Sequence, residues 1–340
     1  MRVRTIPVRE AIGLPLSHDL TQIDAVSGYK GARFKRGHVV CDEDIPVLLS
    51  MGREHLSILE LGDSEVHEDD AALALGRVLG GEGVSMDGPE EGKCRLNATR
   101  DGMLFYNPAM VDAINEDVQW ILATLPPFVP VRGGENVAAF RILPLTVART
   151  EMDRAVSVAR PISVLPFAPL RVGLVTTGRE IADGLVKDAF APKLASKLAV
   201  FGGSLLDHLT AGDDPDDIES RIRQLLGFGA QMVICTGGMS VDADDLTPDA
   251  IRRVADRVVF RGAPMLPGSN LMLAYAGTVP LIGAPACVVH DAWTTFDPLL
   301  TRLFARREPT LAEVRKWGVG GLCRRCSVCG YPSCAWGARP

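Results

Sequence analysis

The stretch 231–251, QMVICTGGMSVDADDLTPDAI, constrains the fold more than any other part of the chain. A short apolar run, Met232, Val233 and Ile234, leads into paired glycines, then an acidic loop, then a helix start. Thr247 is placed to cap that helix, and Pro248 takes the first helical position, where a missing N–H costs nothing. A strand feeding a glycine loop and a helix N-terminus belongs to an open α/β sheet. It turns backbone N–H groups and the positive end of the helix dipole toward one point. Asp242, Asp244 and Asp245 edge the loop. An anion site rimmed by carboxylates suits a phosphate-bearing ligand held in part through Mg2+.

The second half repeats this pattern. Residues 171–177 read as a buried strand, and Phe190, Leu194, Leu198 and Phe201 fall on one helical face closed by Gly202 and Gly203. SLLDHL (204–209) is a second strand. Ile218, Ile222, Leu225 and Leu226 mark a second helix ending near Gly227 and Gly229. VPLIG (279–283) is a further strand, and the run HDAWTTFDPLLTRLFA a further helix. Strands alternating with helices imply crossovers and a mostly parallel sheet. The first half has short strand-like runs instead: GHVV, HLSILEL, CRLNATR, MLFY and VAAFRIL. Helices in HEDDAALALGRVLGG and PAMVDAIN separate them, an α+β or β-rich pattern. Prolines 161, 166 and 169 mark the change. The organisation is thus a front region (1–165), an α/β domain (166–312) and a cysteine-rich tail (313–340).

A chain of 340 residues exceeds what one core serves, about 250–300 residues, which agrees with that division. The net charge of -6 argues against a nucleic-acid partner, since phosphate-backbone binders are usually basic. No apolar run approaches the ~20 residues of a membrane span. The charged MRVRTIPVRE start lacks the apolar centre of a signal peptide, so a cytoplasmic location is expected, with the eight cysteines as thiols or metal ligands.

Three loops should meet at the carboxyl edge of the sheet, where such folds bind ligands. The first carries Thr177, Gly178, Arg179 and Glu180, the second Gly212, Asp213, Asp214 and Pro215, the third residues 236–245. Thr177 and Ser240 are suited to donate to phosphate oxygens, and Glu180, Asp213 and Asp245 to hold Mg2+ or orient an oxyanion. Asp213 and Asp214 equally suit the start of a helix, where acids favour the dipole. The chain has no G-x-x-x-x-G-K-[ST] loop and no G-x-G-x-x-G after a strand. Residues 238–242, GMSVD, depart from a nucleophile elbow at the last position, which should be glycine.

TTGREIADG, AGDDPDDI, CTGGMSVDADDLTPDAIR, LPG at 266–268 and GAPAC at 283–287, in this order, resemble the molybdopterin-binding domain. That domain occurs in MoeA-type molybdopterin molybdenumtransferases and MogA-type molybdopterin adenylyltransferases. The resemblance spans about 170–305. The front half, with GARFKRGHVVCDEDIPVLLSMG and VAAFRILPL, looks like a divergent version of the MoeA-type front domains. It implies a three-layer α/β/α fold, a pterin nucleotide substrate, a homodimer and a molybdoenzyme client. It further implies insertion of molybdenum from molybdate into adenylylated molybdopterin with release of AMP. By motif, Thr177, Gly178 and Glu180 match the family's T-G-D-E loop, and Asp213 and Asp214 its D-D-P step. Gly237, Gly238, Ser240 and Asp245 match G-G-x-S-x-x-x-x-D, with Asp242 inside that loop. Pro267 and Gly268 match P-G-K-P, and Gly283 and Pro285 match L-P-G-N-P. The resemblance therefore implies Glu180, Asp213 and Asp245 as catalytic, and the others as pterin-binding.

The departures bear on activity. Arg179 replaces an Asp, Ser269 and Asn270 replace K-P, and Ala286 and Cys287 replace G-N. The S-x-x-D-G-x-A segment of the front half is missing. The enzyme reading, a molybdenum transferase, therefore stands beside a non-catalytic carrier or redox sensor.

The tail supplies a second chemistry. Cys323, Cys326, Cys329 and Cys334 follow C-x2-C-x2-C-x4-C, and four thiolates this close suit Zn2+ or an iron–sulfur cluster. Arg324, Arg325 and Arg339 are placed to offset their charge. The spacing is neither that of a zinc ribbon nor the ferredoxin run, which has three residues before its last cysteine. Cys41, Cys94, Cys235 and Cys287 read as core residues, although Cys287 lies in a candidate site loop where a thiol could meet molybdenum or the dithiolene. His67, Glu68, Asp69 and Asp70 read as a helix start rather than a metal site.

Overall fold

The computed structural model describes residues 2–24, 29–60, 62, 64–178, 189–240, 246–334 and 336–337. The chain begins with β1 (Arg2–Pro7), β2 (Leu20–Asp24), β3 (Tyr29–Phe34), α1 (Asp44–Ser50) and β4 (His55–Glu60). β1 pairs with β4 and β2 with β3, both antiparallel, around a core that includes Val8, Leu20, Phe34, Leu48 and Leu56. The strand expected at 37–40 reduces to one bridge between Pro15 and Val39. Gly37 sits at φ +80, which turns the chain away from any ladder.

A second core follows. Its elements are β5 (Glu65–His67), α2 (Glu68–Leu79), β6 (Val84–Glu90), β7 (Lys93–Ala98), β8 (Gly102–Phe105), α3 (Pro108–Asn115), β9 (Trp120–Thr124), β10 (Pro130–Val131), β11 (Asn136–Ile142), β12 (Thr146–Ala148), α4 (Arg149–Val158) and β13 (Ser163–Leu165). The antiparallel sheet β6-β7-β11-β9 packs under α2, whose Ala71, Ala72, Leu75 and Leu79 fall at helical spacing and are buried with Leu96 and Phe140. His67 is the N-cap of α2. Its Nδ1 accepts from the Asp69 N–H at 3.1 Å, and its Nε2 lies 2.9 Å from the Ser17 carbonyl. Both ring nitrogens are thereby engaged, as the structural reading of that helix start requires.

The third region comprises β14 (Arg171–Thr177), α5 (Phe190–Ala199), β15 (Ser204–Ala211), α6 (Pro215–Gly227), β16 (Met232–Thr236), α7 (Thr247–Val254), β17 (Arg257–Arg261), β18 (Met272–Ala276), β19 (Val279–Ala284), α8 (Phe296–Phe304) and α9 (Leu311–Arg315). Its six strands run in the order β15-β14-β16-β19-β18-β17, with β15, β14, β16 and β19 parallel. The strands alternate between two cores. Val172, Leu174, Met232, Ile234 and Ile282 face Phe190, Leu194, Leu198 and α8. Val175, Val233, Cys235 and Leu281 face Ile218, Ile222, Leu225 and Ile251. Helices thus cover both faces, as continuous apolar strands demand. Gly173 in β14 opens the space that Leu225 fills, since a Cβ there would stand 2.9 Å from the leucine Cδ1.

The antiparallel pair β17–β18 at one edge was not anticipated from sequence. RVVFR and MLAYA are five residues each and carry no helix between them, so the βαβ rhythm that exposed the other strands is absent. The α/β domain meets the second core through α8 and the turn after it. The Arg302 guanidinium lies 3.6 Å from the Phe128 ring centre, and Arg307 lies 5.3 Å from that of Phe105. Burial holds Arg302 down to about 10.

Candidate functional site

Four parallel strands end at one edge, at Thr177, Ala211, Thr236 and Ala284. β18 runs the other way and pairs Met272 with Gly283, so the loop that enters it reaches the same edge. A cleft of about 360 Å3 opens there, lined by residues 237–240, 268–270 and 285–287. Of the site residues expected from sequence, Gly237, Gly238, Ser240, Gly268 and Pro285 line it together.

The third loop is held by backbone geometry. Gly237 and Gly238 have φ of +92 and +53. A Cβ on Gly237 would fall 2.3 Å from the Thr177 carbonyl oxygen, and one on Gly238 3.0 Å from Thr247 Oγ1. Glycine is therefore required by the conformation and by the close approach of β14. Thr247 does not cap α7: the N-cap is Leu246, without a side-chain bond. The Thr247 hydroxyl donates instead to the Gly237 carbonyl at 2.8 Å, and stands 3.1 Å from Thr177 Oγ1. The hydroxyl thus binds the loop to the helix rather than closing the helix end.

Other expected contacts fall elsewhere. Thr177 is buried, and its hydroxyl donates to the Thr236 carbonyl at 3.3 Å, so it supports the loop from beneath and does not reach the cleft. Gly283 lies inside β19 under the Met239 side chain, whose Cε would be 2.3 Å from a Cβ there. Its role is to admit that methionine, which anchors the loop. Pro267 lies behind the lining, and its carbonyl accepts from the Thr295 N–H at 3.1 Å. Gly178 donates its N–H to the Ala211 carbonyl at 3.2 Å, tying the first loop to the second. Asp214 is the N-cap of α6: its Oδ1 accepts from the Asp216 N–H at 3.1 Å. Asp213 is exposed in the same loop and does not line the cleft. Asp214 thus follows the helix-start reading. Glu180, Asp242 and Asp245 lie outside the described residues.

Side chains that do line the cleft are short or neutral. Ser269 and Asn270 occupy the positions where a family lysine and proline were absent, and Cys287 faces in beside Ala286. Burial and the nearby Asp291 carboxylate push the Cys287 thiol up from its ordinary value. A cation stands at the rim, where Arg261 donates to the Ser240 carbonyl at 3.4 Å.

The tail docks against this site. Leu266 and Leu322 form a parallel bridge. The Trp336 indole donates to the carbonyls of Gly321 and Leu266 at 3.0 and 3.2 Å. Cys323, Cys326, Cys329 and Cys334 are all free thiols, and they line a second cavity of about 590 Å3 with Trp293, Tyr331 and Trp336. Among the described residues, no three ligand-type side chains converge on one point. The segment 286–293 separates the two spaces, since Ala286 and Cys287 face the cleft and residues 290–293 face the cavity. It is fixed by a buried ion pair. Lys197 Nζ lies 2.6 Å from Asp297 Oδ1 and donates to the Ala292 carbonyl at 2.8 Å. Asp297 in turn accepts from the Thr294 N–H at 2.7 Å.

Together these features define an α/β domain with a glycine-lined cleft at its carboxyl edge. Residues 173–306 match the family described as "Probable molybdopterin binding domain", and residues 5–60 a "Domain of unknown function (DUF8806)". A CinA-like protein of Mycolicibacterium vanbaalenii is 41% identical over 88 residues, 26% of this chain and 21% of that protein. A CinA-like protein of Mycobacterium tuberculosis is 34% identical over 87 residues, with 26% and 20% covered. The match thus spans about a fifth of the length of these relatives. Among solved structures, the molybdopterin biosynthesis enzyme MoaB of Thermus thermophilus aligns with 19% identity and a TM-score of 0.35, covering 41% of this chain and 98% of its own. The Mog protein of Mycobacterium ulcerans aligns with 21% identity and a TM-score of 0.34, covering 40% and 95%. No helix among the described residues is long and apolar enough to cross a membrane.

Proposed function

We propose that the cleft binds molybdopterin, or its adenylylated form, and that the protein acts in molybdenum cofactor assembly. The observation that carries this reading is the cleft itself. It lies at the carboxyl edge of the parallel strands, is lined by three glycines at positive φ, and falls inside the segment that matches the molybdopterin-binding family. Backbone groups of 237–240 and 268–270 would hold the phosphate, and Asn270 and Ser240 would supply side-chain hydrogen bonds. In the enzymatic form, molybdate is a second substrate and AMP the product. Glu180 and Asp245 would hold Mg2+, which neutralises phosphate charge in such transfers.

A second reading, a non-catalytic carrier or redox sensor, is favoured by one feature. The described lining contains no carboxylate, lysine, arginine or histidine to act as an acid, base or metal ligand. Equilibrium binding of molybdopterin tests the shared claim: micromolar or tighter affinity is expected, and none detected would overturn it. Adenylylated molybdopterin with molybdate and Mg2+ then separates the two. AMP release abolished by Asp245→Asn supports the transferase; binding without AMP release supports the carrier.

A further inference from the structure

We infer that the tail cavity is the site of an iron–sulfur cluster, held by Cys323, Cys326, Cys329 and Cys334, and not of a single zinc ion. A mononuclear zinc site brings four sulfurs to 2.3 Å from one centre, which places them about 3.8 Å from each other. Here all four thiols line one space of about 590 Å3, which has room for a body much larger than a single ion. A cubane core interposes its own body between the thiolates, which this arrangement accommodates. The first three cysteines, C-x2-C-x2-C, also keep the spacing with which ferredoxins grip a cluster.

The surroundings suit a cluster. Cys323 Sγ accepts the Arg325 N–H at 3.4 Å, the kind of backbone bond that stabilises a cluster thiolate. Arg325 reaches φ +52 to make that turn, an unusual conformation for a residue with a Cβ. Four thiolates on a core carrying two positive charges leave about two negative charges. Arg324 and Arg325 line the same cavity and offset part of that charge, Arg325 being shared with the Asp291 carboxylate 3.9 Å away. Each cysteine gives up its proton to solvent as its sulfur bonds iron and displaces a terminal ligand of the core, and equal ferrous and ferric iron with sulfide gives a core of two positive charges with no net redox change. Trp293, Tyr331 and Trp336 shield one side, with Trp293 and Tyr331 ring centres 4.7 Å apart. Cys323 and Cys334 pack against the domain core while Cys326 and Cys329 are exposed, so the cluster would seat from the solvent side.

The placement has a consequence for the cleft. The segment 286–293 lies between the two spaces, with Ala286 and Cys287 on the cleft side and residues 290–293 on the cavity side, so an occupant of one lies close to the wall of the other. This site stands whether or not the cleft takes a pterin.

The test is anaerobic reconstitution of the full chain with iron and sulfide, read by metal analysis and visible absorption. About four irons with matching sulfide per chain, and a broad visible band bleached by dithionite, are expected. The double variant Cys326→Ser/Cys329→Ser, at exposed positions that leave the core intact, should lose most of the iron. Iron retained by that variant would overturn the inference, as would one tightly held zinc with no iron, or no metal at all. Molybdopterin binding, measured separately, does not enter this outcome.

Discussion

The cleft and the tail cavity sit on either side of the segment 286–293, yet they are built in opposite ways. The cleft is made of backbone. Its shape comes from Gly237 and Gly238 in left-handed conformations, from Gly268 at φ +109, and from hydroxyls of Thr177 and Thr247 that hold the loop from below. Its side chains are small and uncharged. The cavity is walled by side chains, among them four thiols, three aromatic rings, two arginines, His290 and Asp291. A backbone cradle recognises the shape and charge of an anion and tolerates little change in its glycines. A thiol-lined space needs its ligand to complete it, since free thiols give little cohesion of their own.

The contrast can be broken or sharpened by substitution. Lys197→Met should have the largest effect, because it leaves the Asp297 carboxylate buried without its partner. Such a loss costs about 3–5 kcal/mol. Denaturant unfolding checks it, and both pterin binding and tail metal content should fall, since the pair fixes the wall common to both spaces. A cost below about 1 kcal/mol would mean that the wall is supported elsewhere.

Gly237→Ala should separate the two regions. The new Cβ meets the Thr177 carbonyl, and the left-handed backbone adds its own penalty, together about 2–3 kcal/mol. Pterin affinity should be lost while the iron content of the tail is unchanged. Equal loss from both would show that the cavity depends on the cleft. Asp214→Ala should have the smallest effect, about 1 kcal/mol of stability from the lost cap of α6. Its pterin affinity should match the wild type in a titration. A tenfold weakening would return Asp214 to the binding site.

Much of the α/β domain was legible in the sequence. Phe190, Leu194 and Leu198 recur at helical spacing and all are buried, and VGLV and MVIC are continuous apolar runs that only a doubly covered strand requires. Gly237 and Gly238 were legible for the same local reason, since a paired glycine after a strand signals a turn that other residues resist. The cysteine spacing in the tail was equally plain.

The partners of these groups could not be read locally. Asp214 as cap and Asp214 as ligand share one sequence. Thr247 looked like a cap until the fold brought the Gly237 carbonyl within reach of its hydroxyl. Met239 fills the space above Gly283, 44 residues on, and Trp336 fastens the tail to Leu266, 70 residues back. The chain's local pattern was enough for the parallel strands, the helices between them and the glycine turns, because those depend on neighbours a few residues apart, but not for the edge strands β17 and β18. Only the tertiary structure decided that residues 268–270 and 285–287 share a cleft with 237–240, and that the four thiols surround one space. Those facts depend on an antiparallel edge strand and a docked tail, and the contacts that place them join residues too distant in the chain for any local pattern to record.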